Sequence, residues 1–167
     1  MITPEYCQAM SRYNSWQNNT LKSHVDVMPE ADLRADRGVF FRSITETLNH
    51  ILWADLLWVA RFDGGADSGF EAKDHTVVTS TKEEWDKLRS ATDRRIVEWA
   101  DQLKSVDLAQ TVSWYSASKD RDISKSLSMC VVHFFNHQTH HRGQVHAMLT
   151  GMGRKTMDTD LVFMPDD

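Results

Sequence analysis

Apolar and aromatic residues recur every three or four positions through four long stretches of this chain, the spacing that gives a helix one buried face. In the first stretch Thr3 is placed to cap and Pro4 occupies the first helical position, which predicts a helix over residues 4–27. Its inner stripe is Tyr6, Met10, Tyr13, Trp16, Leu21 and Val25, with Arg12, Gln17 and Lys22 left for solvent. Pro29 interrupts it, and residues 30–38 read as a charged connector with room for one short helical turn. The second helix is predicted from near Ser43 to about Arg61, and residues 51–60 are apolar nearly all round except for Asp55, which places this helix at the centre of the core. If buried, Asp55 needs a cation, supplied by Arg142 or another basic residue.

Asp63-Gly-Gly-Ala-Asp-Ser-Gly69 ends that helix, and a surface loop is expected through Val77 and Val78. Thr81-Lys-Glu-Glu84 is a capping-box pattern that opens a third helix, running to about Lys104. Its apolar line of Trp85, Leu88, Thr92, Ile96, Trp99 and Leu103 is narrow, so it is expected on the outside with most of its surface in water. Between Leu108 and Asp122 the pattern turns to alternation around Val112, Trp114 and Tyr115, which predicts a short hairpin. The fourth helix follows from about Ser124 to Thr150, with Gly151 and Gly153 as stop signals, and the apolar residues of the tail, 157–165, are expected to fold back on the helices. The economical assembly is an all-α four-helix bundle with that hairpin before the last helix.

Composition narrows the picture further. A chain of 167 residues with no repeat or linker is read as one domain over 1–167, and only three prolines and seven glycines interrupt it. Cys7 and Cys130 lie far apart in helical segments, which is no disulfide framework, and together with the lack of a signal-like N-terminus this points to a cytoplasmic protein. No uncharged apolar run reaches membrane-spanning length. A net charge of −5 without a basic block argues against nucleic acid as the main partner.

Five of the eight histidines fall between His133 and His146 on the fourth helix. His133, His137 and His141 share one stripe, and two imidazoles at i and i+4 can close on one metal ion. The pair His137 and His141 would otherwise bury two polar rings without an evident partner, so it is read as a ligand pair. His133, a further turn away, is read as a packing or substrate contact. A third ligand must come from across the core, and His50, the one histidine of the second helix, sits beside its apolar run. Three neutral imidazoles leave a position open for water or substrate and accept zinc, nickel, iron or another divalent ion, with zinc or nickel foremost. His24, His75 and His146 are read as surface or hydrogen-bonded residues. Glu46, one turn before His50, is a candidate to orient it or act as a base, and Arg142-Gly143-Gln144 to tune the site, Gly143 by close helix approach.

Asn136 and the run His133-x3-His137-x3-His141-Arg142-Gly143-Gln144 resemble the fourth helix of the DinB family, the DNA-damage-inducible DinB/YfiT-like proteins. Leu48-Asn-His50-Ile-Leu-Trp-Ala-Asp-Leu-Leu-Trp58 is similar to its second helix and Tyr13-Asn-Ser-Trp16 to its first. The resemblance implies a metal held by His50, His137 and His141, a homodimer, and in some branches a transferase or isomerase reaction that uses a small cellular thiol. Two functions compete on this basis. One is a metal-dependent enzyme that activates a low-molecular-weight thiol (S-transferase-like) or water (hydrolase-like) against a small-molecule substrate; the other is a non-catalytic, stress-associated metal-binding homodimer.

Overall fold

The computed structural model describes residues 2–66, 69–117 and 119–166. Its elements in chain order are α1 (Pro4–Asp26), α2 (Glu30–Arg34), α3 (Ile44–Asp63), α4 (Lys82–Gln102), β1 (Thr111–Ser116), β2 (Arg121–Ser126) and α5 (Leu127–Gly151), with three short 3-10 turns between and after them. The four long helices form the bundle, and α2 is the one-turn helix of the connector, anchored by buried Leu33. No helix among the described residues is long and apolar enough to cross a membrane.

Local chemistry sets the helix starts. The hydroxyls of Thr3, Ser43 and Thr81 accept from the amides of Tyr6, Glu46 and Glu84, three residues on in each case. Gly64 closes α3 in the left-handed region at φ 67°. Residues 67 and 68 of the predicted stop signal lie outside the described residues, as does Ser118 in the hairpin turn. The hairpin is antiparallel and runs three residues beyond the expected helix start, because Thr111 pairs with Ser126 and Ser126 then caps α5 by accepting from the Met129 amide. Across it Ser113 and Ser124 share a hydrogen bond of 2.7 Å.

Two apolar clusters fill the bundle. One gathers Leu21, Val25, Ile44, Leu48, Leu52, Trp85, Val145 and Leu149; the other gathers Cys7, Val59, Ile96, Trp99, Val131, Phe134 and Phe135. Between them, at mid-height, runs a buried polar layer. Gln138 donates to Asp55 (2.9 Å), Arg89 donates to Asp55 (2.7 Å), and the Arg89 Nη2 lies 2.8 Å from Asp93 as an ion pair. Asp93 accepts from Asn14 (3.0 Å) and Asn18 (2.9 Å), and Arg142 donates to the Asn14 carbonyl oxygen. The chain of contacts thus leaves α5, crosses α3, α4 and α1, and returns to α5.

This layer changes several expectations. The cation on Asp55 is Arg89, and Arg142 serves Asn14 instead. Helix α4 keeps most of its residues at least partly exposed, as expected, but its narrow buried face packs on both α1 and α3 and carries Arg89, Thr92 and Asp93 along with its aromatics. Gln17 is 4% exposed rather than solvated, because its amide donates to the Asp158 carbonyl of the tail. The tail is held by such polar contacts, including Tyr13 Oη to the Thr159 carbonyl at 2.5 Å; of its apolar residues, Leu161, Val162 and Phe163 are exposed, while Met157 borders a cavity with Leu21 and Leu149.

Candidate metal centre

His50 lies in the second turn of α3, and His137 and His141 lie on successive turns of α5, the helix that packs along α3. One nitrogen from each ring falls in a group whose members are all within 4.8 Å of one another, and His50 Nε2 is 3.1 Å from His137 Nε2. The structure therefore brings together the three histidines expected from sequence. His133 sits outward on the same stripe, its ring 5.7 Å from that of His137 and edge-on to Trp58 at 5.3 Å. Cys7 and Cys130 are buried free thiols, with burial pushing Cys7 up to about 11, and neither belongs to the group.

The outer nitrogens of two of these rings are already committed. His141 Nδ1 lies 2.7 Å from Gln144 Oε1, an amide oxygen that can only accept, so His141 carries its proton on Nδ1 and turns a bare Nε2 inward. His50 Nδ1 lies 2.8 Å from Nδ1 of His75, and one proton sits between those nitrogens. If His50 keeps Nε2 free for a ligand bond, that proton is its own and His75 accepts it. His75, read from sequence as a surface or hydrogen-bonded residue, is the second of these, and it supports His50. Its loop is fixed by the neighbour of His50: Asn49 Oδ1 accepts from the amide and hydroxyl of Thr79, both at 2.8 Å. No helical period reaches a loop histidine, and only the adjacency of Asn49 and His50 hinted at it.

The rings are held neutral, the form that binds metal. Burial, then the neighbouring imidazoles, drive His50 and His137 down to about 3, and burial lowers His141 against the pull of Gln144. Phe41 covers the cluster on one side, 4.1 Å from the His50 ring and 5.2 Å from the His141 ring between centroids. On the other side the row continues from His133 to Trp58 and Trp114, with Arg61 over both indoles at 4.8 and 5.0 Å. Glu46 does not orient His50, whose ring nitrogens face His75 and His137; its amide takes the Ser43 cap. Gly143 gives no close helix approach either, since a Cβ there would meet nothing within 4 Å.

A family model, that of the DinB family, matches residues 1–167. The chain belongs to the DinB family. Among curated relatives of this DinB-family chain, Protein DinB of Bacillus subtilis (strain 168) is 24% identical over 160 residues, covering 93% of this chain and 91% of that protein. Among solved structures, YfiT from Bacillus subtilis, described as a probable metal-dependent hydrolase with an unusual four-helix bundle topology, superposes with a TM-score of 0.66 at 16% identity, over 93% of this chain and 92% of its own. A DinB-like protein from Bacillus cereus ATCC 10987 gives 0.59 at 14% identity over 86% and 91%. At these identities the two structures bear on the fold, which they share with this DinB bundle.

Two predictions arise from this geometry. His75→Ala is expected to lower metal affinity about 10–100-fold while leaving the far-ultraviolet spectrum unchanged, measured by competition against a chromophoric chelator; an unaltered affinity removes His75 from the site. The metal-free protein is expected to lose stability as pH falls. An unfolded chain takes up protons on His50 and His137 below about 6.5, and the folded one resists until about 3. Stability is therefore full above that window and declines through it. Urea midpoints at about pH 7.5 and about pH 5 check the sign, and a midpoint that rises at the lower pH contradicts it.

Proposed function

We propose that this member of the DinB family is a metal-dependent enzyme whose divalent ion, zinc or nickel foremost, is held by His50, His137 and His141 and activates a small nucleophile. The reading is carried by one observation: three ring nitrogens from α3 and α5 converge within 4.8 Å, two of the rings having their outer nitrogens committed to His75 and Gln144. These imidazoles suit a divalent transition metal, and three ligands leave a coordination position over. When bound, such an ion supplies a Lewis acid that lowers the pKa of a water or thiol in that position.

The chain's residues do the rest. His50, His137 and His141 bind as neutral donors, and His75 and Gln144 fix two of their orientations. Phe41 keeps water from one side of the cluster. His133, exposed at the end of the histidine stripe, is the residue of this row placed to meet a small-molecule substrate, backed by Trp58. Water as nucleophile makes a hydrolase, and a low-molecular-weight thiol makes an S-transferase. The alternative, a non-catalytic homodimer, uses the ion only to tie α3 to α5. A homodimer in the cytoplasm belongs to both readings, and light scattering at twice the 19.2 kDa chain mass supports it while the single mass sinks it.

Cobalt substitution followed by thiol titration tests the enzyme reading. A small thiol that enters the open position brings a sulfur-to-cobalt charge-transfer band, and hydrolysis of activated esters without that band selects water. A cobalt spectrum indifferent to thiols, with no turnover of esters or electrophiles, leaves only the tie between helices.

A further inference from the structure

Away from the histidine cluster, another face of α5 borders a cavity of about 160 Å³, between α1 and α5 and closed by the chain at residues 156–159. Helical geometry sets Arg142 and Leu149 roughly a third of a turn from His137 and His141, and His146 nearer half a turn, so the two sites lie on different faces of one helix. The closing segment is fastened: Tyr13 and Gln17 donate to the carbonyls of Thr159 and Asp158, and Thr156 Oγ1 lies 2.6 Å from His146 Nε2.

Two of the residues lining this cavity each keep one buried side-chain nitrogen without a hydrogen bond, and the Arg142 guanidinium lies 5.5 Å from the centre of the Tyr13 ring. Arg142 is 6% exposed and gives Nη1 to Asn14, while its Nη2 is buried with no hydrogen bond. The nearby carboxylates of Asp55 and Asp93 are in direct contact with Arg89 instead. His24 Nε2 is likewise buried without a partner. Arg142, His24 and His146 line the cavity, and none of its described lining residues is acidic. Leaving a buried donor unsatisfied is costly, so an acceptor brought by a ligand is favoured here, and a guanidinium fork matches a carboxylate.

We propose that this cavity binds a small organic carboxylate, the anionic group on Arg142 and the apolar body against Leu21, Leu149 and Met157. The site does not depend on the metal reading. Gly143 lies on its wall, where an added Cβ meets nothing within 4 Å, so Gly143→Leu plugs the cavity without touching the buried polar ring.

Benzoate, with neutral benzamide as its counterpart, is the probe, titrated by calorimetry into metal-loaded and chelator-stripped protein. The expected result is one benzoate per chain in both forms, benzamide about tenfold weaker or worse, and a loss of about tenfold or more in Gly143→Leu and in Arg142→Met. Because Arg142 belongs to the polar ring, Gly143→Leu carries the test if Arg142→Met does not fold. No benzoate binding in the millimolar range, equal binding of benzamide, or indifference to Gly143→Leu overturns the proposal. Binding that vanishes with the metal places the carboxylate on the ion and overturns it as well.

Discussion

Replacing Arg89 by methionine is expected to destabilise the protein by about 3–5 kcal/mol, a large part of the roughly 5–15 kcal/mol that holds a domain of this kind together. The size follows from what Arg89 touches. Arg89 is 3% exposed, and its guanidinium lies against two carboxylates, those of Asp55 (0% exposed) and Asp93 (5%). Burial raises the Asp55 carboxyl against the pull of Arg89 and Gln138, so its charge in this interior rests on those partners. Methionine fills much of the stem's volume but leaves two buried carboxylates without the cation between them. Urea denaturation checks the value, and a loss under about 1 kcal/mol contradicts the account. The defect is also expected to lessen at acid pH, where protonation of the stranded carboxyls relieves their repulsion.

His50→Ala is expected to have the largest effect on the metal, beyond the roughly 10–100-fold assigned to a supporting residue such as His75. His50 is the member of the group that α3 contributes, and its two nitrogens face His137 on one side and His75 on the other. Alanine removes a ligand and also cuts the link by which the loop reaches the site. His137 and His141 remain as a pair on one helix, too few to hold a catalytic ion against a chelator. The expected outcome is loss of bound metal on dialysis and loss of the metal's contribution to the melting temperature, with the helical spectrum kept. Metal content at the wild-type level in the purified variant removes His50 from the ligand set.

The helices were legible because their starts are chemical. Thr3, Ser43 and Thr81 each cap as a hydroxyl followed by free amides, and the bond returned by Glu84 goes to the Ser80 amide (2.7 Å), one residue before the expected place. Histidines 137 and 141 were legible from helical spacing, and His50 from its place beside an apolar run. The polar ring was not, because asparagine, glutamine and arginine on helices read as solvent-facing. Its signal lies in spacing rather than hydropathy. Among the buried positions, Cys7, Ser11, Asn14, Asn18, Leu21 and Val25 on α1 and Trp85, Arg89, Thr92, Ile96 and Trp99 on α4 form steps of four and three that run unbroken through the polar residues, with Tyr13, Gln17, Asp93 and Ala100 buried beside them. Following apolar residues alone led to Trp16 as an inner position and Gln17 as an outer one. His75 escaped for a different reason: a loop has no period, and its position depends on the Asn49 bonds to Thr79, a contact between residues thirty apart.

On the proposed function, His50, His137 and His141 hold one divalent ion and leave a position open. X-ray absorption at the metal edge of the loaded protein tests it most directly. The account predicts three imidazole nitrogens at about 2.0–2.1 Å and one further light ligand from solvent, replaced by sulfur at about 2.3 Å if a small thiol enters. Four imidazoles, fewer than three, or a sulfur ligand in thiol-free protein would contradict it.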